Sequence, residues 1–232
     1  MLMPSSKEDL FTPVHKSVRS MIYDVGRELQ KTDFADHGAT DKICSKLEFD
    51  FRTASSSCML CYLSSHARDE TRYVFSVMQK YEPDMVQMLL REHEEIERKL
   101  GDLTKMSAEL KALENLEERI LKGDELNRAV NDFFAYYITH MNKEEATILP
   151  ATQKYLTDQE MMKIRANIVQ ALPPDRAPVQ LSWFVRSNTI NELTGVLKGM
   201  KATMPPPAFE GVMKITEQNV SKDDWEQIRA RL

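Results

Sequence analysis

The sequence predicts an all-α protein, and three observations predict it. Glycine is scarce, at 7 residues in 232. The hairpin dipeptides Asn-Gly and Asp-Gly are absent, so tight β-turns have no signal in this chain. Met, Leu, Lys, Glu and Ala recur at helical spacing, while Val, Ile and Thr rarely alternate with polar residues.

The first helix is expected to begin at Thr12-Pro13, an N-cap residue followed by proline at the first helical position. It carries His15, Val18, Ile22, Val25 and Leu29 along one stripe and ends near Lys31. The stretch TDFADHGATD reads as a polar turn around Gly38, with His37 as a surface histidine. A long second helix then runs from about Lys42 to Met78, weakest at Ser55-Ser56-Ser57. Pro83 opens a third helix, and the next break is placed at Lys122-Gly123-Asp124. A fourth helix follows and stops at or just beyond Pro150. Short connections between long helices suit an up-down-up-down four-helix bundle over residues 1–155.

Residues 156–232 differ in character. Thr157 with Glu160 forms a capping box ahead of the helix DQEMMKIRANIVQAL. Pro173, Pro174 and Pro178 then interrupt the chain, and short helical pieces follow. The last of them is DDWEQIRARL, with Ser221 and Asp224 at its start. This C-terminal helical extension contains no histidine or cysteine and is expected to pack on an apolar face of the bundle.

Composition narrows the function classes. The chain is 42% hydrophobic and 29% charged with a net charge of -5, so nucleic-acid binding has no electrostatic footprint. No apolar run reaches membrane-spanning length, and the start MLMPSSKEDL lacks the pattern of a signal peptide. Three cysteines do not make a disulfide framework. A reducing, cytoplasmic location is therefore expected. Cys58 and Cys61 form a Cys-x-x-Cys without the context of a zinc or thioredoxin site, and read as small packing residues.

Three of the five histidines are followed four positions later by glutamate: His66/Glu70, His93/Glu97 and His140/Glu144. On a helix these pairs share a face. In antiparallel packing, the starts of odd helices lie beside the ends of even ones, which brings His15, His66, His93 and His140 to one end of the bundle. Imidazole with carboxylate suits iron, manganese or zinc. Seven donors exceed the needs of one ion, and carboxylates can bridge two. The plain alternative is a set of surface i,i+4 pairs on Glu-rich helices, less favoured for three pairs that converge. The ferritin-like Glu-x-x-His pattern is absent, since Thr12, Phe34, Leu63, Leu90 and Tyr137 stand three before the histidines. Tyr62, Tyr73, Tyr136 and Tyr137 lie within one or two turns of these residues, as core filling or as hydrogen-bond donors to a bound species.

The stretches PVHKSVRSM, LSSHARDETRYVF, LLREHEEIERKL and YITHMNKEEATILP together resemble the hemerythrin-like family, also called the HHE cation-binding domain, over about residues 8–155. The resemblance implies a non-haem di-iron centre inside a four-helix bundle. It assigns His15 and His66 to one iron, His93 and His140 to the other, and Glu70 and Glu144 as bridging carboxylates. Oxygen-carrying members have a second histidine four residues after the third-helix histidine, where this chain has Glu97. That departure turns the reading toward a protein that binds O2 or NO, or senses oxygen, iron or redox state. Glu97 is expected either to ligate or to take a role in which water completes the coordination. An iron–manganese pair uses the same donor set. Two alternatives stay open: a di-iron enzyme consuming peroxide or reducing NO, and a helical interaction module with a structural metal.

Overall fold

The computed structural model describes residues 7–47, 59–173 and 176–232. Among them only helices, turns and bends occur. The first helices are α1 (Thr12–Gln30), α2 (His37–Leu47) and α3 (Met59–Asp69), the last continuing through a π-helical segment, Glu70–Phe75, into α4 (Ser76–Met78). Two long helices follow, α5 (Pro83–Lys111) and α6 (Leu116–Ala146), then α7 (Ile148–Tyr155) and α8 (Asp158–Ala171). The chain ends with α9 (Ala177–Ser187), α10 (Ile190–Thr203), α11 (Pro206–Gln218) and α12 (Lys222–Arg231).

Several boundaries differ from the sequence expectation, each for a local reason. Helix α1 begins at Thr12, and the acceptor that caps it is Asp9, whose Oδ1 takes the amides of Phe11 and Thr12 at 2.9 Å each. Helix α2 starts at His37, five residues before Lys42, because the Asp36 carboxylate accepts the Ala39 amide at 3.1 Å. Its stripe Thr40, Ile43, Cys44 and Leu47 is buried. The Ser55–Ser57 weak point, and with it the continuity of the expected Lys42–Met78 helix, lies outside the described residues. The break expected at Gly123 falls instead at residues 112–115, where Asn115 caps α6 by accepting the Glu118 amide. Gly123 sits inside α6 because the Phe34 ring packs against its Cα. Arg119 fixes that approach, donating from Nε to Phe34 O at 3.0 Å and from a terminal nitrogen to Ala35 O at 2.7 Å. Helix α6 ends at Ala146, and Pro150 lies in the first turn of α7, where a missing N–H costs nothing.

The long helices pack antiparallel, as their side-chain partners show. Along α1 and α6, Arg19 meets Asn142 while Gln30 meets Asn127. Across α3 and α5, Ser64 meets Glu97, and Thr71 in the π-helical segment meets His93. Between α5 and α6, Glu92 meets Lys143.

Two apolar clusters fill the bundle. One holds Val18, Leu63, Ile96, Tyr137 and Met141 among its members. The other holds Phe11, Val74, Phe75, Leu89 and Ile148, and α8 joins it through Met161 and Ile164. The capping box of Thr157 and Glu160 forms at the start of α8, and Ser221 caps α12 through the Asp224 amide. Helices α9 to α12 gather around a third cluster of Val185, Leu193, Leu197 and Ile228. Helix α9 lies along α1, with Asn188 donating to Pro13 O at 3.0 Å and Lys16 paired with Glu192 at 2.6 Å. Among the described residues, no helix is long and apolar enough to cross a membrane.

The Phe34–Gly123 contact gives a sharp test. A methyl group at Gly123 would overlap the buried Phe34 ring, so Gly123→Ala is expected to lower unfolding stability by about 1–3 kcal/mol. Gly101, also helical, has nothing within 4 Å of an added Cβ. There Gly→Ala is expected to raise stability by about 0.5–1 kcal/mol. Chemical denaturation of the two variants reads the opposite signs.

Candidate metal centre

Each helix of the bundle is apolar above and below one polar step. On α1 His15 and Val18 follow Phe11, which stands just ahead of the helix, and in α5 the order is Leu89, His93, Ile96. In α6, Tyr137 and Met141 lie to one side of His140 and Glu144, and Ile148 at the start of α7 lies to the other. The α3 side runs from Leu63 through His66 and Glu70 to Val74. The four polar steps therefore meet in a layer sealed between the two clusters. All six side chains are buried, with His15 and Glu144 fully so and His66 the least at 9% exposure.

The π-helical segment begins at Glu70. Its wider turn holds the adjacent residues Glu70 and Thr71 toward the centre together, and below them Val74 and Phe75 are both buried. Such single-turn insertions occur often at functional sites. Thr71 Oγ1 reaches His93 Nδ1 at 2.7 Å, and the Phe75 ring stacks on that imidazole at 5.0 Å.

The two carboxylates divide their oxygens between two pairs of histidines. Glu70 Oε1 lies 3.3 Å from His15 Nε2 and 3.4 Å from His66 Nε2, while its Oε2 is 3.6 Å from His93 Nε2. Glu144 Oε1 lies 3.3 Å from His140 Nε2 and 3.6 Å from His93 Nε2, while its Oε2 is 3.5 Å from His15 Nε2. His93 and His140 bring their Nε2 atoms within 3.0 Å. Donors bound to one ion at ~2.0–2.2 Å sit ~3–3.5 Å from each other at ordinary coordination angles, which is the spacing found. Two groups of metal-binding atoms result, His15, His66 and Glu70 on one side and Glu70, His93, His140 and Glu144 on the other. Neither oxygen of Glu144 nor Nε2 of His66 has a hydrogen-bond partner. Buried acceptors without partners are costly, and a cation satisfies all three.

Outside the centre, each pair has one histidine backed by a further carboxylate. His15 Nδ1 meets Glu145 Oε1 at 2.9 Å, and Arg19 meets the same oxygen at 2.8 Å. His140 Nδ1 meets Glu92 Oε2 at 2.8 Å, and Lys143 pairs with the other oxygen of Glu92. Burial works to lower the pKa of His15 and His140, but the surrounding carboxylates outweigh it and hold both at about 9. Burial works to raise that of Glu144, yet His140, His93 and His15 hold it well below the usual range. His66 is lowered, chiefly by burial.

Six of the seven residues expected from the sequence converge here. Glu97 stands outside both groups, with its Oε1 accepting from Ser64 at 2.6 Å. His37 is on the surface, 3.3 Å from Asp41, a fourth i,i+4 pair that a glutamate-based pattern does not contain. Tyr137 is core and donates to Leu63 O at 2.9 Å. Tyr136 and Tyr73 are partly buried beside the cations of Lys99 and Arg72, and Tyr62 packs against the first cluster. Cys58 and the Cys61 side chain lie outside the described residues. Glu92, Glu145 and Thr71 carry one signal in the sequence, adjacency to a candidate ligand, which is weak on helices rich in glutamate.

Residues 7–152 match the family described as the Hemerythrin HHE cation binding domain. No curated protein matches the chain, and no solved structure does.

The histidine pKa values fix a pH dependence of the metal-free protein. His15 and His140 are raised above the unfolded value of 6.5. Their contribution to stability is full below ~6.5 and is lost as pH rises through 9. His66, lowered instead, makes its change below that window. Denaturant midpoints of metal-free protein are therefore expected to fall between pH 6.5 and 9. A flat profile would contradict the assignment.

Proposed function

The chain belongs to the hemerythrin HHE cation-binding family, and from that premise we propose a non-haem di-iron protein that binds O2 or NO, or senses oxygen, iron or redox state. One observation carries the dinuclear reading: Glu70 and Glu144 each direct one oxygen to the His15 side and the other to the His93 side. Each ion would then hold two imidazole nitrogens and two carboxylate oxygens, with remaining positions for solvent or a small ligand. Bound iron supplies a one-electron couple and exchangeable coordination; an iron–manganese pair meets the same donors. The setting proposed is cytoplasmic, in keeping with three cysteines in 232 residues.

Two groups that a turnover reading would use as proton donors are engaged elsewhere. A turnover reading needs a proton donor facing the centre. The Tyr137 hydroxyl donates to Leu63 O, and Glu97 is held by Ser64. Entry of a small ligand is proposed on the His15/His66 side. His66 is the most exposed of the six residues, and its Nε2 has no hydrogen-bond partner.

Protein purified anaerobically is expected to carry about two irons per chain, bridged by carboxylate. Its ultraviolet-visible spectrum should gain charge-transfer bands in air and change with NO. A single spectroscopically silent zinc ion overturns the proposal. His66→Ala is expected to leave about one tightly held iron, whereas Glu144→Ala, which faces both positions, should weaken both ions. Sustained peroxide consumption lost in His66→Ala would instead favour a di-iron enzyme.

Metal loading should also release protons, because the metal takes the lone pairs that His15 and His140 use for theirs. Calorimetric titrations at pH 7 in buffers of different ionisation enthalpy are expected to show this release. Identical heats in all buffers would contradict it.

A further inference from the structure

We infer that Glu92 and Glu145 are positioning residues, each setting the orientation and donor strength of one imidazole, so that each metal ion has one strengthened nitrogen ligand. The inference rests on the dinuclear reading above. Glu145, on α6, backs His15 of α1, and Glu92, on α5, backs His140 of α6. Both carboxylates have the same three-part arrangement, with an imidazole Nδ1 on the inner side and a cation on the outer side, Arg19 in one case and Lys143 in the other. Arg19 is itself fixed by Asn142 at 2.8 Å. The remaining histidines are backed differently. His93 meets the neutral hydroxyl of Thr71, and the carboxylates acting on His66 include the central Glu70 and Glu144.

An Nδ1–H directed at a carboxylate locks the tautomer that leaves the Nε2 lone pair facing the centre, and makes that nitrogen a stronger donor. The locked nitrogens are His15 Nε2, 3.3 Å from Glu70, and His140 Nε2, 3.3 Å from Glu144. They belong to opposite histidine pairs. Glu145 therefore acts on one ion and Glu92 on the other. The Lys143 side chain is 37% exposed, which makes the Glu92 support sensitive to surface charge. Sequence adjacency explains the placement. Glu145 follows Glu144 and Glu92 precedes His93, and neighbouring helix residues are turned ~100° apart, so each flanks the centre instead of entering it.

The test uses the full chain and the variants Glu92→Gln, Glu145→Gln and Glu92→Asp. In metal-free protein, imidazole 15N NMR is expected to show Glu92→Gln moving the His140 Nδ1 signal and Glu145→Gln moving that of His15, each without the other. In iron-loaded protein, each Gln variant should shift one of two Mössbauer doublets, weaken iron about 10–100-fold at that position and raise the reduction potential. Glu92→Asp keeps the charge but withdraws it from His140, so it should behave like Glu92→Gln. Wild-type-like behaviour of Glu92→Asp beside an altered Glu92→Gln means through-space charge alone and overturns the inference. Unchanged 15N signals in both Gln variants also overturn it. If a Gln variant fails to fold, Lys143→Gln acts on Glu92 from the surface and must move the His140 signal; no movement is a refutation. Wild-type protein without two irons refutes the di-iron reading, while the metal-free NMR still decides the roles of Glu92 and Glu145.

Discussion

Two carboxylates and four imidazoles lie between two apolar clusters of one helical bundle, and everything else about the fold answers to that burial. An isolated buried charge costs several kcal/mol even after relaxation. Glu144 is fully buried, so its carboxylate is tolerable only with positive charge close to both oxygens. In the metal-free chain that charge comes from protonated His15 and His140. In the loaded chain it comes from the metal. The helices must cross at one height for either to work, because a slip of one turn in any helix would move its polar step ~5.4 Å into an apolar cluster. The layer therefore fixes the register of the bundle as firmly as the hydrophobic contacts do.

The π-helical segment is the backbone's adjustment to the same constraint. His66 and Glu70 need α-helical spacing to share a face, yet Thr71 must also reach the back of His93, and Phe75 must stack on it. A regular α-helix turns neighbouring residues ~100° apart, and the π-helical turn that starts at Glu70 changes that spacing locally. The wider turn starting at Glu70 places both, then returns Val74 and Phe75 to the core below.

Much of this was legible in the chain, for reasons that can be named. Helix identity followed from composition and spacing, because periodic apolar stripes such as Val18, Ile22, Val25 and Leu29 dominate the local energetics. His66/Glu70 and His140/Glu144 were legible because i,i+4 spacing is a property of one helix and needs no tertiary information. The misplaced break at Gly123 shows the opposite case. Glycine ordinarily signals a stop, but here it answers a close approach from Phe34, 89 positions earlier in sequence, which local reading does not see. The same limit hides Glu92 and Glu145. Their roles depend on what lies across the helix interface, and on helices rich in glutamate a single acid beside a ligand carries little information.

Glu97 brings these points together. Its spacing from His93 equals that of Glu70 from His66, so sequence gives it equal standing. The His93 ring, however, is already held on three sides, by Thr71 at Nδ1, by His140 at Nε2 and by Phe75 across its face. The centre facing it is supplied with oxygen by Glu70 and Glu144. A third carboxylate in that space would add negative charge to a buried cluster that already pairs two carboxylates with four imidazoles. Glu97 turns instead to the Ser64 hydroxyl, where one hydrogen bond satisfies it near the edge of the layer. The two sides of the centre differ in their donors, with three residues around His15 and His66 and four around His93 and His140. Each side has two histidines, so neither is nitrogen-rich as a third histidine would make it. The outer contacts add to that difference, with Glu145 and Arg19 behind His15, Glu92 and Lys143 behind His140, and the hydroxyl of Thr71 behind His93.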